Sequence, residues 1–337
     1  MRISRRTRQA LLPLFLSATL VLAPGAVADS HNAPSGIDVA SWQGAIDWAS
    51  VTQSQKFAIV KATEGIGYEN PQYNNDIQQA KANGLTVGAY HYARPGTDAA
   101  AQAAEFAKSY NAHPQDLPPV MDLEQTDGLG PAQLQDWTRT FLGEIERLTG
   151  RKPIVYTYRY FWQQDMANTT EFAHYPLWFA AYQNDVPDNL PGGWDQMAFW
   201  QRTGDGRVTG VNTPVDMNLF NGTPDQLTGF SGYGGVLRPG EVVAADRNLG
   251  ESNKELIAAL LAAAGAMGIM PGDQAGALAE QLGGAAGLEG DAAGALGGLV
   301  KDLGGNLPVG DLTAMMQGDY TIGDLLLLLN AAGHNTP

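Results

Sequence analysis

Four acidic residues stand out by where they fall. Asp38 sits in GIDVA, Asp122 and Glu124 in VMDLE, and Asp216 in VDMNLF, each between apolar neighbours at the end of a β-like run. Side chains alternate across a strand, so Asp122 and Glu124 share one face, their Cα atoms roughly 6–7 Å apart. The same parity turns Asp38 and Asp216 away from Ile37, Val39, Val215 and Met217. Like charges gathered in one cleft cannot all ionise, so at least one pKa must rise. A carboxyl held protonated beside one that stays ionised is the pairing that glycoside hydrolysis uses. Singly, an acidic residue at a strand end is usually a helix cap or a solvated loop residue, and clustered carboxylates also hold calcium or magnesium. Their convergence from three strands on one mouth favours acid–base chemistry.

Aromatic residues accompany them. Trp42, Tyr68, Tyr90, Tyr92, Tyr156, Tyr158, Trp178, Tyr182 and Trp200 lie in or just after the β-like runs. Large rings carry much of a domain's buried area, so each alone reads as core. Tyr90, Tyr158 and Tyr182, at or near strand C-termini, are the candidates for stacking on a sugar face. His91 and His174 make no spaced cluster and read as structural. No phosphate-binding glycine loop, zinc constellation or Ser/His/Asp arrangement is present. No cofactor and no metal are called for.

The elements that position these residues alternate. β-like runs fall at 36–39, 57–61, 86–92, 119–124, 153–158, 177–182, 197–201 and 215–220. Helical composition occupies 46–54, 72–83, 98–110 and 131–149, with Asn83-Gly84 as a stop and Pro131 suited to a first turn. This order implies parallel strands with helices outside. Eight strands in roughly 190 residues predict an abbreviated α/β barrel, whose catalytic mouth lies at the C-terminal strand ends. Closure then sets Asp38 beside Asp216, with Asp122 and Glu124 across the mouth. A doubly wound open sheet is the alternative.

The chain outside this region bounds its setting. Arg2, Arg5, Arg6 and Arg8 precede an apolar stretch over 11–23 and the small-residue site Ala26-Val27-Ala28. That is the order of a secretory signal peptide spanning 1–28, cleaved near Ala28, with an apolar core too short to span a membrane. Its removal moves the formal charge from −15 to about −19, unfavourable for nucleic acid or an anionic membrane. The chain has no cysteine, so the exported protein depends on its apolar core. After Tyr233 the composition shifts to Gly, Ala and Leu, with Tyr320 as the last aromatic residue. This separates a domain at 29–233 from a tail at 234–337.

The motifs GIDVASWQG, FAIVKATEG, GLTVGAYHYARP, PPVMDLE, KPIVYTY, LWFAAY, FWQ and VDMNLFNG occur in that order between Gly36 and Gly222. This succession closely resembles the family 25 glycoside hydrolases, the lysozymes also called the Chalaropsis type. The resemblance implies a flattened α/β barrel whose last three strands lack regular helices. It also implies hydrolysis of the β-1,4 bond between N-acetylmuramic acid and N-acetylglucosamine in peptidoglycan. Carried onto this sequence, Glu124 matches the general acid and Asp122 the carboxylate that assists the substrate's acetamido group. Asp38 and Asp216 match the other acidic site residues, and Glu64, Tyr90 and Tyr158 fall where the family lines its cleft. A non-catalytic wall-glycan-binding protein and a hydrolase of another N-acetylated polysaccharide are the rival readings.

The tail lies beyond the resemblance. Leu256, Ile257, Leu260 and Leu261 stand at helical spacing, and further Ala/Leu/Gly segments follow at 274–282 and 324–332. Interior glycines, each costing roughly 1 kcal/mol relative to alanine, predict a small module of short helices, with partial disorder as the alternative. The tail's composition assigns it neither a function nor a partner.

Overall fold

The computed structural model describes residues 32–230, 234–243, 254–288 and 291–334. The signal-peptide segment lies outside them. The barrel is built from β1 (Ser35–Val39), β2 (Phe57–Glu64), β4 (Thr86–Tyr92), β5 (Val120–Asp122), β6 (Ile154–Tyr158), β7 (Leu177–Ala180), β8 (Phe199–Gly206) and β9 (Val215–Phe220). The strands run β1-β9-β8-β7-β6-β5-β4-β2, and a parallel β1–β2 pairing closes the ring. A two-residue strand, β3 (Tyr68–Glu69), hangs on the edge of β2.

The apolar runs form strands because both faces are covered. Every residue of β2 except its last is buried, as a strand between a filled barrel interior and outer helices requires. Helices α1 (Trp48–Val51), α2 (Tyr73–Ala82), α3 (Ala99–Asn111) and α4 (Pro131–Thr149) follow the first strands, as the alternation implied. Helix α4 starts at Pro131, buries Leu134, Trp137, Phe141, Leu142 and Ile145 at helical spacing, and stops at Gly150 with φ 68°. Helix α1 is one turn rather than the span 46–54, because Asp47 caps it through the Ser50 amide. The six-residue α5 (Arg159–Gln164) had no legible periodicity, since Tyr160, Phe161 and Trp162 are buried consecutively. No helix separates β7, β8 and β9, and the one-turn α6 (Pro224–Leu227) comes directly after β9.

One expectation is corrected. The last strand is antiparallel to both its neighbours, β1 and β8, rather than parallel. Residues 207–214 carry no helix, and a parallel crossover needs about a dozen residues or more, so the chain can only turn back. Asp216 therefore sits at the start of its strand, not the end, and the reversal brings it to the same mouth as the others.

Residues 234–243, grouped with the tail by composition, pack on the barrel. Val236 and Leu237 are buried and their amides donate to Asn221 Oδ1 at 3.1 and 2.9 Å. Among the described residues the remaining tail forms five helices, α7 (Lys254–Met267), α8 (Gly272–Ala285), α9 (Asp291–Asp302), α10 (Val309–Met315) and α11 (Ile322–Gly333). Glycines serve α8 and α9 directly: a Cβ on Gly276 would press against the Gly297 carbonyl, so the two backbones approach closely. Helix α11 packs against α5, over the mouth of the barrel.

Candidate active site

The mouth opens into a cavity of about 450 Å³, into which Asp38, Asp122, Glu124 and Asp216 all project. The first and last strands supply Asp38 and Asp216 as register partners. Strand β5 ends at Asp122, and Glu124 follows two residues on. Asp38, Asp122 and Glu124 are only 5, 7 and 6% exposed. Burial pushes Asp38 up to about 6 and Glu124 up to about 7. It also raises Asp122 and Asp216 well above the usual carboxyl range, aided by Glu124 and Asp38 respectively.

Each carboxyl has a distinct setting. Asp38 Oδ1 accepts from Asn218 Nδ2 at 2.7 Å and from Gln201 Nε2 at 3.1 Å. Trp178 Nε1 donates to Asn218 Oδ1 at 2.8 Å and Tyr156 Oη to Gln201 Oε1 at 2.9 Å, which fixes both amides with their NH2 groups toward Asp38. Those donors favour an ionised Asp38, and a hydrogen bond joins it to Asp216. Tyr92 is hydrogen-bonded to Glu124, and Gln125 Nε2 donates to Tyr92 Oη at 2.9 Å. Glu124 Oε2 and Asp122 Oδ1 are buried and accept no hydrogen bond among the described residues. Buried polar atoms are normally paired, so these two oxygens stand ready for groups of a ligand. Gln43 Nε2, also on the cavity wall, is a donor in the same condition.

The other sequence candidates divide. Tyr90 and Tyr182 line the cavity, and Trp42, 59% exposed, stands on its rim. Tyr158 is buried behind the wall, close enough for Glu124 to act on its phenol. Glu64 is set back, pairing with Lys61 at 2.6 Å and Arg94 at 3.7 Å. His91 is enclosed, bonded to Thr63 and Gln102 and stacked on Phe141, a structural role. Among the described residues no three His, Asp or Glu side chains are arranged to hold a metal ion.

Lys61 was missed. Its ammonium lies 4.7 Å from the Tyr92 ring centre, lines the cavity, and draws the Asp122 and Glu124 pKa values down. The signal was a lysine inside an otherwise apolar strand, a residue rarely buried without a partner. Asn218 shares the parity of Asp216 and could have been read from it. Gln201 could not, because its register depends on irregularities in the β8–β9 pairing.

A sequence profile described as glycosyl hydrolases family 25 matches residues 37–211, just over half the chain. The chain belongs to that family. Lysozyme M1 of Streptomyces globisporus is 35% identical to it over 204 residues, covering 57% of this chain and 69% of that protein. The N,O-diacetylmuramidase of a Chalaropsis species is 32% identical over 207 residues, covering 57% of this chain and 96% of that protein. The crystal structure of a bacterial lysozyme from Streptomyces coelicolor matches with a TM-score of 0.56 and 32% identity, over 59% of this chain and 99% of that one. Asp216 lies just past the family 25 match, so its place in the site rests on strand register. The tail helices lie beyond it as well.

Proposed function

We propose that this family 25 glycoside hydrolase is a lysozyme, cutting the β-1,4 bond between N-acetylmuramic acid and N-acetylglucosamine in peptidoglycan. The observation that carries the reading is the pair at the end of β5: Asp122 on its last residue and Glu124 two residues on, each presenting a buried oxygen without a partner. Glu124, protonated near neutral pH, gives its proton to the glycosidic oxygen as the leaving sugar departs. Asp122 accepts the N–H of the substrate's acetamido group and turns its carbonyl oxygen onto the anomeric carbon. Substrate-assisted hydrolysis of this kind departs from the two-carboxylate scheme with a covalent enzyme ester. Water, deprotonated by Glu124, then opens the cyclic intermediate with net retention. Asp38 and Asp216 hold a shared proton opposite and shape the negative field over the sugar.

The relatives named lysozyme and muramidase support this assignment. The leader-like residues 1–28 support export to the wall or the medium. No helix among the described residues is long and apolar enough to cross a membrane. The deciding experiment is reducing-end analysis of purified peptidoglycan after incubation with the protein. New reducing N-acetylmuramic acid supports the assignment. New reducing N-acetylglucosamine, or no new ends, rejects it, and cleavage of chitin alone redirects it to another N-acetylated polymer.

A further inference from the structure

The tail helices are seated in the mouth rather than beside it. Leu299 of α9 and Leu326, Leu329 and Asn330 of α11 line the same cavity as the four carboxyl groups. Residues 325–329 of α11 are consecutive leucines, all buried. A helix that is apolar all round must be covered on every side, and here the barrel mouth is one of the covers.

The seat has specific polar contacts. Gln125, next to the proposed acid, donates from Nε2 to the Ala331 carbonyl at 2.5 Å. Gln164 Nε2 donates to Tyr320 Oη at 2.8 Å, and Tyr160 Oη to Asp311 Oδ1 at 3.1 Å. These barrel residues follow β5 and β6, and Tyr182 follows β7. There Gly323 lies so close to the Tyr182 carbonyl oxygen that a Cβ would collide with it. The tail is thus fitted across three successive strand ends.

A cavity of this size belongs with small-ligand pockets, which run to about 300–1,000 Å³. A glycan strand cut at an internal bond needs a groove that continues on both sides of Glu124. We propose that the mouth of the barrel is a docking surface for the chain's own C-terminal helices, and that α9 and α11 compete there with peptidoglycan as an inhibitory cap. This rests on the lysozyme reading for its substrate. Because only the uncapped fraction binds glycan, docking weakens apparent affinity in proportion to that fraction.

Two substitutions in the full-length chain test it. Gly323→Ala favours the helix itself, since alanine is the better helix former, while obstructing the seat against Tyr182. Leu329→Asp sets a carboxylate facing the carboxyl cluster. Hydrogen exchange over residues 322–333 reports docking, and reducing ends released from peptidoglycan report catalysis. Faster exchange with at least a tenfold rise in kcat/KM, carried by a lower KM at unchanged kcat, is the expected result. Faster exchange with unchanged kinetics overturns the cap, and so does a failure of both variants to free α11. If no form cuts peptidoglycan, the lysozyme reading fails by itself, and co-sedimentation with insoluble peptidoglycan decides the cap. Glu124→Gln/Gly323→Ala must then sediment at least tenfold more readily than Glu124→Gln, and equal sedimentation overturns it.

Discussion

Asp38 and Asp216 stand directly opposite each other on antiparallel strands and are joined by a hydrogen bond, although both are acids. One of them must carry the proton. Asn218 and Gln201 point their NH2 groups at Asp38 and are prevented from flipping by Trp178 and Tyr156, so Asp38 is the acceptor and Asp216 the donor. The two positions should therefore respond differently to the same substitution. Asp216→Asn keeps an N–H donor toward Asp38 and should melt close to the parent. Asp38→Asn keeps one oxygen for the two fixed NH2 groups, which already share Oδ1, but sets its own NH2 against the Asp216 hydroxyl, donor against donor, at a cost of about 1–3 kcal/mol. Thermal unfolding of the two variants checks the order, and equal melting temperatures would show that Asp216 can turn or give up its proton.

If Glu124 is the acid, Glu124→Gln should keep the fold and glycan binding while hydrolysis falls by roughly two to four decades. Turnover of purified peptidoglycan by a protein with an unchanged melting curve is the measurement. Near-parental turnover would remove Glu124 from the role.

The pH profile follows from the same burial. Glu124 must be protonated to act and is pushed up to about 7, so kcat/KM should decline as pH rises through that value. On the acid side activity should fade as the carboxylate partners of the cluster take up protons, giving a bell whose limbs belong to the coupled group. The Lys61 ammonium holds Asp122 and Glu124 down. Replacing it in Lys61→Met lets both rise further, so both limbs should move to higher pH. Limbs that stay in place would show that Lys61 does not act on the reacting groups.

What the sequence disclosed and what it withheld divide along the range of the forces involved. The two-residue alternation through 120–124 set Asp122 and Glu124 on one side because that period is fixed within five residues, and both line the cavity. The caps of α4 were equally local, down to Pro131 and Gly150. Strand direction was not legible for β9, since a period of two reads the same in both senses. Only the short connection over 207–214 decides it. The cap was hidden for a related reason: the bond from Gln125 to Ala331 joins residues 206 apart in the chain. The leucine run of α11 announced a buried helix but could not say what buried it.

The composition break at Tyr233 and the packing of residues 234–243 on the barrel make different claims about where the hydrolase ends. We propose that residues 29–243 fold alone, because Val236 and Leu237 are buried against the barrel and satisfy Asn221. Burying such a side chain contributes about 1.5–3 kcal/mol, so a chain ending at Tyr233 should melt several degrees lower than one ending at Val243. Both should unfold cooperatively and release reducing ends from soluble wall fragments. If only the full-length chain folds or turns over, the tail is part of the catalytic unit.

The stereochemistry of the product tests how Asp122 works. In a two-carboxylate scheme Asp122 or Asp216 would attack the anomeric carbon and form a sugar ester. Asp216 is occupied with Asp38 as a proton donor, which leaves it a poor nucleophile. Asp122 has a buried oxygen without a partner, but it stands two residues from the acid at the same strand end. Acid and nucleophile must approach opposite sides of the bond being exchanged, whereas acid and acetamide orienter can share a side. The acetamido carbonyl should therefore attack, giving a cyclic oxazolinium intermediate that water opens with retained configuration. Asp122→Asn should lose roughly two to four decades of activity, as expected when a charge-stabilising partner is neutralised. A thiazoline mimic of the intermediate should inhibit the parent and bind this variant poorly. NMR of the first-formed anomer decides the main point: an inverted product excludes the route. A sugar ester on Asp122 or Asp216, trapped by mass spectrometry, excludes it equally.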